Sequence, residues 1–191
     1  MAFYDLVAFD EISSISFSDV SEMQAILKAY LEDGKTTVDN YQFISECGLM
    51  LLGNIKLSEN GYPLSNNYFE DLPDVFKESA LLDRFQGFIE GWLLPRVNVG
   101  MALNDWTLNV EFFSEMMHQL RTDAIYADIV NQLLDYPSNS DMRHLKAIKR
   151  IATAYLKLLF PQVQKMEDVN KEEFDLYCLQ PAIHRRDIIR Q

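Results

Sequence analysis

The first apolar run of the chain, from Phe3 to Glu11, predicts a strand of a parallel sheet. The residues FYDLVAF are apolar except for one Asp, and two acids, Asp10 and Glu11, follow directly. A strand that helices cover on both faces is apolar throughout, without the alternation of a half-exposed strand. Ligands of open α/β sheets bind beyond the carboxyl ends of the strands. Asp10 and Glu11 are therefore candidate site residues, with a strand that ends in a solvated loop as the alternative.

A second apolar run, CGLMLL from Cys47 to Leu52, predicts another buried strand. It ends in Gly53-Asn54, so a side-chain amide follows this strand as the two acids follow the first. An amide can hold a water molecule and touch a phosphate oxygen at the same time, because it both accepts and donates hydrogen bonds. The alternative role of Asn54 is turn formation, which a Gly-Asn pair favours.

Helical spacing of apolar residues predicts a helix between these two strands. Ser18 or Asp19 is its expected N-cap, and Gly34 lies past its end. Residues 35–46 lack this periodicity and predict a hairpin or an extended loop. The expected core stripe of the helix contains Met23, Ile26, Leu27, Tyr30 and Leu31.

One arginine stands between a predicted helix and a predicted third strand. Pro73 begins the helix, PDVFKESALLDRF, because proline is tolerated in a first turn. The short apolar stretch from Phe85 to Ile89 predicts the strand. Arg84 therefore has two interpretations. It pairs with a nearby acid such as Asp83 or Glu90, or it projects from the surface towards the phosphate of a neighbouring subunit.

From about residue 104 the pattern becomes entirely helical. Three segments carry apolar residues three or four apart: VEFFSEMMHQLRTD, AIYADIVNQLLDY and DMRHLKAIKRIATAYLKLLF. Ser140 or Asp141 is the expected cap of the third, and a last helix covers roughly 171–190. The sequence thus predicts an α/β core over 1–100 and a helical subdomain over 101–191. We expect six residues to pack inside the fold: Phe112, Phe113, Met116, Met117, Trp92 and Trp106.

Composition narrows the possible partners. The 191 residues carry a formal net charge of −12, which disfavours non-specific binding to nucleic acid. One basic group, His184, Arg185, Arg186 and Arg190, is a candidate phosphate-binding patch or simply a solvated helix end. Two distant cysteines, no secretory leader and no apolar stretch of eighteen residues favour a reduced, cytoplasmic protein without membrane contact. No ligand spacing suggests zinc.

Taken together, the order of these features resembles the AAA+ ATPases. Asp10-Glu11 is similar to a Walker B motif, Asn54 to a sensor-1 residue, Arg84 in ALLDRF to the arginine finger of Lon proteases, and Arg143 in MRHLKAIKR to a sensor-2 arginine. The runs LLDRFQGFIEGWLLPR, LNVEFFSEMMHQLR and YLKLLFP look most like the Lon-like ATPase family (BrxL) of the bacterial BREX phage-defence systems. This resemblance covers nearly the whole chain and implies a partial AAA+ P-loop core followed by a helical lid.

The resemblance also implies a role for each residue. Asp10 would help to hold Mg²⁺, and Glu11 would polarise the water that attacks ATP. Asn54 would position that water, and Arg84 would reach the nucleotide of the adjacent subunit in a ring. Arg143 would contact nucleotide from the lid. Phosphoryl transfer relies on such groups because it depends mostly on positioning and on neutralisation of spread negative charge.

One expected element is missing from the sequence. G-x-x-x-x-G-K-[ST], the loop that cradles ATP phosphates, does not occur, and neither does the Ser-Lys protease domain of Lon-type proteins. The sequence therefore predicts a fragment of an ATPase module that does not hydrolyse ATP by itself and whose sheet edge pairs in an altered way or by self-association.

Three functions remain open at this point. The complete protein would couple ATP hydrolysis to remodelling or translocating a protein substrate that a downstream peptidase domain cuts, or it would act on DNA as an MCM-like motor without proteolysis. The third possibility is a truncated interaction module without enzymatic activity. The stretch 35–46 lies where AAA+ relatives place a pore loop, and its only cation, Lys35, does not favour nucleic acid.

Overall fold

The structure, a computed structural model, describes residues 4–38, 41–134 and 141–190. These residues form two compact units, with the boundary after Phe85. The predicted boundary at residue 100 falls inside the second unit. Four strands are described, β1 (Leu6–Phe9), β2 (Lys35–Val38), β3 (Tyr41–Ile44) and β4 (Gly48–Leu51). The α-helices are α1 (Val20–Asp33), α2 (Asp74–Lys77), α3 (Ser79–Leu82), α4 (Val110–Leu120), α5 (Ile125–Leu133), α6 (Met142–Leu159), α7 (Lys171–Phe174) and α8 (Gln180–Ile189).

A small parallel sheet forms the first part of the first unit. Strands β1 and β4 pair in parallel, with Leu6 opposite Gly48 and Phe9 opposite Leu51. Both strands were predicted, although Phe3 lies outside the described residues. The prediction that β1 is buried on both faces is wrong, since Leu6 is 54% and Phe9 41% exposed. Among the described residues each of the two strands pairs with one other strand, so the sheet is only two strands wide.

The predicted first helix and the hairpin that follows are both confirmed. The Asp19 carboxylate accepts the N–H of Glu22 and caps α1, which ends at Gly34 with a φ of 68°. Glycine is required there because the left-handed region disfavours a Cβ. Strands β2 and β3 are antiparallel, which decides for the hairpin over the extended loop, and the tip, 39–40, lies outside the described residues.

Two later elements of the first half differ from expectation. The helix predicted from Pro73 is broken into α2 and α3, because Glu78 has an extended backbone with a ψ of 122°. The third strand predicted over 85–89 is wrong, since this stretch has no regular structure. The N–H of Phe88 donates to the carbonyl of Arg185 at 3.0 Å, so part of its backbone pairs with a helix end instead of a strand. The core of the first unit contains Ile12, Leu27, Val75, Phe76 and Leu81.

The second unit is helical, as predicted from residue 104 onward. Its longest helix, α6, buries Ala152 and Leu156, and Asp141 caps it, whereas the alternative cap Ser140 lies outside the described residues. The last helical stretch contains a π-helical segment, Asp175–Leu179, just before Pro181. Proline has no N–H for an intrahelical bond and its ring crowds the preceding turn, which accounts for the widened segment. None of the described helices is both long and apolar enough to cross a membrane.

The packing expected for α4 and for one tryptophan is wrong. Every residue of α4 is at least partly exposed, and Phe112 and Met116 are 65% and 48% exposed. Trp106 is 98% exposed, whereas Trp92 is half-buried beside Phe88. On the apolar face of α4, Phe113, Met117 and Leu120 are half-buried and Leu120 packs against the core of the second unit, so this face is partly covered.

Candidate functional site

The carboxyl ends of β1 and β4 are joined by backbone hydrogen bonds. The Leu52 N–H donates to the Phe9 carbonyl at 2.8 Å, and the Ile12 N–H donates to the Leu52 carbonyl at 3.0 Å. Leu52, the first residue after β4, is therefore hydrogen-bonded both to the residue before Asp10-Glu11 and to the residue after it. Gly53 lies so close to Ile12 that a Cβ would be 3.1 Å from its Cγ1 atom. Two strand ends and their loops consequently meet at one edge of the sheet.

The predicted residues Asp10, Glu11 and Asn54 all lie at this edge. Each is exposed, so each is open to a ligand from solvent. Carboxylate and amide oxygens are ligands that suit Mg²⁺, which usually takes one or two carboxylates together with waters and substrate phosphates. In the part of the chain that the structure describes, no three His, Cys, Asp or Glu residues form a metal-binding group. Asp10, Glu11 and Asn54 therefore suit a Mg²⁺ that takes one or two protein ligands and its other ligands from phosphate and water.

Glu11 has a strained backbone. Its φ and ψ are 51° and 42°, and among the described residues it is the one non-glycine with a positive φ. Such a conformation costs roughly 1–2 kcal/mol in a residue with a side chain. Local bonds hold it, because the Glu11 N–H donates to Asp10 Oδ1 at 2.8 Å and the Glu11 carbonyl accepts the Ser14 hydroxyl at 2.8 Å. Strain of this kind concentrates at functional sites.

Arg84 lies two residues after the last residue of α3, in an ion pair with an acid distant along the chain. Its Nε lies 3.0 Å from Glu32 Oε2, and its Nη1 donates to the Ala80 carbonyl at 2.5 Å. The acids considered from the sequence were Asp83 and Glu90, both close along the chain. The side chain of Arg84 is 17% exposed, so it is neither fully buried nor freely solvated.

The partner of Arg84 belongs to a polar stripe on α1. Gln24 donates to the Val75 carbonyl at 3.2 Å, Lys28 pairs with Glu78 at 2.9 Å, and Glu32 pairs with Arg84. The three stripe residues are four apart, so they lie one above another on one helix face. This spacing is visible in the sequence, but the sequence does not show which segment the stripe faces.

Arg143 lies in the second unit, at the start of α6. Arg143 is exposed, and its backbone N–H donates to Asp141 Oδ1 at 3.0 Å. The backbone N–H groups of His144 and then Arg143 stabilise the Asp141 carboxylate and lower its pKa. Arg190 adds an ion pair to Asp141 at 3.3 Å. This cap fixes the helix turn that carries Arg143.

The basic group near residue 190 is largely used inside the second unit. Arg185 donates to the Tyr155 hydroxyl at 2.5 Å and to the Phe88 carbonyl at 3.3 Å, and Arg186 is fully buried. His184 pairs with Glu90 at 2.6 Å, and Arg190 pairs with Asp141. Both predicted interpretations, a phosphate-binding patch and a solvated helix end, therefore give way to a structural role.

Comparison with known proteins decides the family. A family model described as the ATPase domain of Lon-like protease BrxL-like proteins matches residues 1–191. The chain belongs to the BrxL-like ATPase domain family. The resemblance noted from the sequence is thereby confirmed.

Two curated BrxL relatives align along almost all of the chain. Both carry the name Lon-like protease BrxL, one from Escherichia coli O9:H4 (strain HS) and one from Bacillus cereus (strain H3081.97). Each is 26% identical to this chain over 98% of its length. The alignments cover 26% and 27% of those proteins, so the chain spans about a quarter of the BrxL relatives that it matches.

Proposed function

We propose that this chain supplies the water-activating and charge-neutralising residues of an AAA+ module in a Lon-like ATPase. The observation that carries the proposal is the meeting of Asp10, Glu11 and Asn54 at the joined carboxyl ends of β1 and β4. Membership of an ATPase domain family supports nucleotide use. The proposed architecture is part of a P-loop core in the first half and a helical lid, carrying Arg143, in the second.

Each residue has a separate task in this proposal. Glu11 accepts the proton of the attacking water, and the Asn54 amide orients that water towards the γ-phosphate. Asp10 holds Mg²⁺, directly or through water. The ion, when bound, neutralises charge that develops on the phosphate oxygens. Arg143 contacts the nucleotide from the lid, where its positive charge complements phosphate.

Arg84 acts between subunits in the proposed ring. It reaches the nucleotide of the adjacent subunit and stabilises the charge of the transferring phosphoryl group. Arginine fingers in related NTPases contribute roughly 10³–10⁵ in rate. We therefore expect Arg84→Ala to lower ATP turnover strongly in the assembled protein, and turnover within about threefold of wild type would contradict the assignment. Arg96→Ala, which changes an exposed arginine, is the control.

The decisive experiment measures Mg²⁺-dependent ATP hydrolysis by the protein expressed from its complete reading frame. Glu11→Gln preserves side-chain shape but removes the base, so we expect turnover to fall by about 10²–10⁴. Glu59→Gln, at an exposed turn of the same unit, should leave it unchanged. Equal activity of the two variants would refute the proposed role of Glu11.

Mixing two inactive variants tests the placement of Arg84. A subunit with Glu11→Gln retains Arg84, and a subunit with Arg84→Ala retains Glu11. A mixed ring therefore contains some boundaries at which both residues are intact. We expect partial recovery of ATP hydrolysis on mixing, whereas no recovery would mean that both residues act within one subunit.

By itself, the 191-residue chain should not hydrolyse ATP, because its sequence contains no G-x-x-x-x-G-K-[ST]. Measurable Mg²⁺-dependent hydrolysis by the purified 191-residue chain would contradict this proposal. If the protein expressed from its complete reading frame is inactive as well, the non-enzymatic interaction module becomes the better explanation.

We propose remodelling or translocation of a polymer in phage defence, in a cytoplasmic protein with reduced Cys47 and Cys178. The β2–β3 hairpin favours protein over DNA, because Tyr41 and Ile44 are 78% and 69% exposed. Its cation, Lys35, lies 3.9 Å from Asp33. Stronger stimulation of ATP hydrolysis by DNA than by an unfolded protein would favour the alternative, an MCM-like DNA motor.

A further inference from the structure

We propose that Glu32 is a positioning residue for Arg84 in ATP hydrolysis, an inference that rests on the proposed function. Glu32 lies in the last turn of α1, one residue from the end of that helix, and contacts Nε of the guanidinium at 3.0 Å. The Ala80 carbonyl contacts Nη1 at 2.5 Å. Nη1 is thus hydrogen-bonded and Nε is ion-paired within the same unit, and these two contacts restrain the position of the group.

A fixed guanidinium matters because arginine is long and flexible. A group that must find its orientation during the reaction loses conformational freedom at that moment, and this loss raises the barrier. A group already held in place stabilises developing charge without reorganisation. The 17% exposure of the Arg84 side chain is consistent with such restraint.

The other two residues of the stripe on α1 contact the same segment at points away from Arg84. Gln24 and Lys28 bind the segment that precedes Arg84, through the Val75 carbonyl and the Glu78 carboxylate. One helix face therefore contacts that segment at three successive turns, and Glu32 is the last of the three. Lys28 provides a matched comparison, because it makes an ion pair of similar length one turn earlier, with Glu78.

The test compares kcat and KM for ATP in the protein expressed from its complete reading frame. Glu32→Gln keeps the side-chain shape but removes the negative charge, which weakens the contact with the Arg84 guanidinium. We expect kcat to fall about tenfold while KM stays within twofold of wild type, since a small misplacement of a charge-stabilising group mainly affects the reaction step. Glu32→Asp retains the charge with a shorter reach and should recover part of the loss. Lys28→Gln should leave kcat close to wild type even where it lowers the unfolding temperature.

A double variant separates positioning from a general loss of structure. If Glu32 acts through Arg84, Glu32→Gln added to Arg84→Ala should cause no further loss of kcat. Additive losses would overturn the inference, as would an unchanged or raised kcat in Glu32→Gln, or an equal loss in Lys28→Gln. Normal turnover in Arg84→Ala would overturn the role of Arg84 and this inference together. Loss in Arg84→Ala with normal turnover in Glu32→Gln would overturn the inference alone.

Discussion

Replacing Glu11 by glycine should stabilise the first unit and at the same time remove ATP turnover. Here the wild-type residue has a left-handed backbone, with φ at 51° and ψ at 42°, which glycine adopts without strain. The side chain that creates the strain is also the proposed base for the attacking water.

The size of the effect follows from two opposing contributions. Relief of the left-handed strain contributes roughly 1–2 kcal/mol. Glycine also gives the unfolded chain more freedom, which costs about 0.4–1 kcal/mol. The net expectation is a gain of about 0–1.6 kcal/mol in the free energy of unfolding, centred on about 0.8 kcal/mol. Turnover should fall by about 10²–10⁴ with the loss of a general base.

The assay has to report on the first unit specifically. Trp92 and Trp106, the two tryptophans of the chain, both lie in the second unit, so tryptophan fluorescence is a poor probe. Hydrogen exchange at the Ile12 and Leu52 amides is better, because both donate across the joined strand ends. We expect slower exchange of these amides in Glu11→Gly than in wild type.

Glu59→Gly is the matched control, since it changes an exposed glutamate without a positive φ in a turn of the same unit. It should be neutral or destabilising by up to about 1 kcal/mol, because only the unfolded-state contribution of glycine applies. If Glu11→Gly destabilises the protein as much as Glu59→Gly does, Glu11 is not held in a strained conformation and the reasoning fails.

Three further predictions concern packing and ionisation. Gly34→Ala should cost more than Gly61→Ala, by about 1 kcal/mol or more in unfolding free energy. Both glycines have a positive φ, but only at Gly34, of these two, would a Cβ lie 2.4 Å from a backbone oxygen, that of Ser45. Equal losses of unfolding free energy in the two variants would exclude that clash. Leu81→Ala should cost about 2–5 kcal/mol because a fully buried side chain is lost. Urea titration measures both this variant and Leu64→Ala, which changes an exposed leucine and should alter stability by less than about 0.5 kcal/mol. Similar losses in the two variants would refute the assignment of Leu81 to the core. Burial raises the pKa of Cys178 from 9.0 to about 11, so the folded state holds this proton more tightly. The contribution of this thiol to stability should therefore be constant below about pH 9 and fall between about pH 9 and 11. If Cys178→Ala shows the same fall in stability, another residue causes it.

Local patterns in the sequence were sufficient for the elements that stabilise themselves. Asp19 begins α1 and Gly34 ends it. An N-cap needs one suitable side chain and a C-cap one left-handed residue, so a single position encodes each. The apolar runs before Asp10 and Asn54 likewise predicted two parallel strands, and their shared edge followed from the general rule for α/β sheets. The candidate site on these strand ends was therefore accessible from sequence.

Contacts between distant segments were decided only by the tertiary structure. An apolar residue shows that burial is favourable but does not supply a neighbour, which is why Phe112 and Trp106 proved exposed despite a core-like pattern. Likewise, an arginine in the sequence indicates that an ion pair with an acid is favourable, but it does not identify the acid. Arg84 pairs with Glu32 because α1 lies against the segment from Val75 to Arg84, and that approach depends on the whole core of the unit.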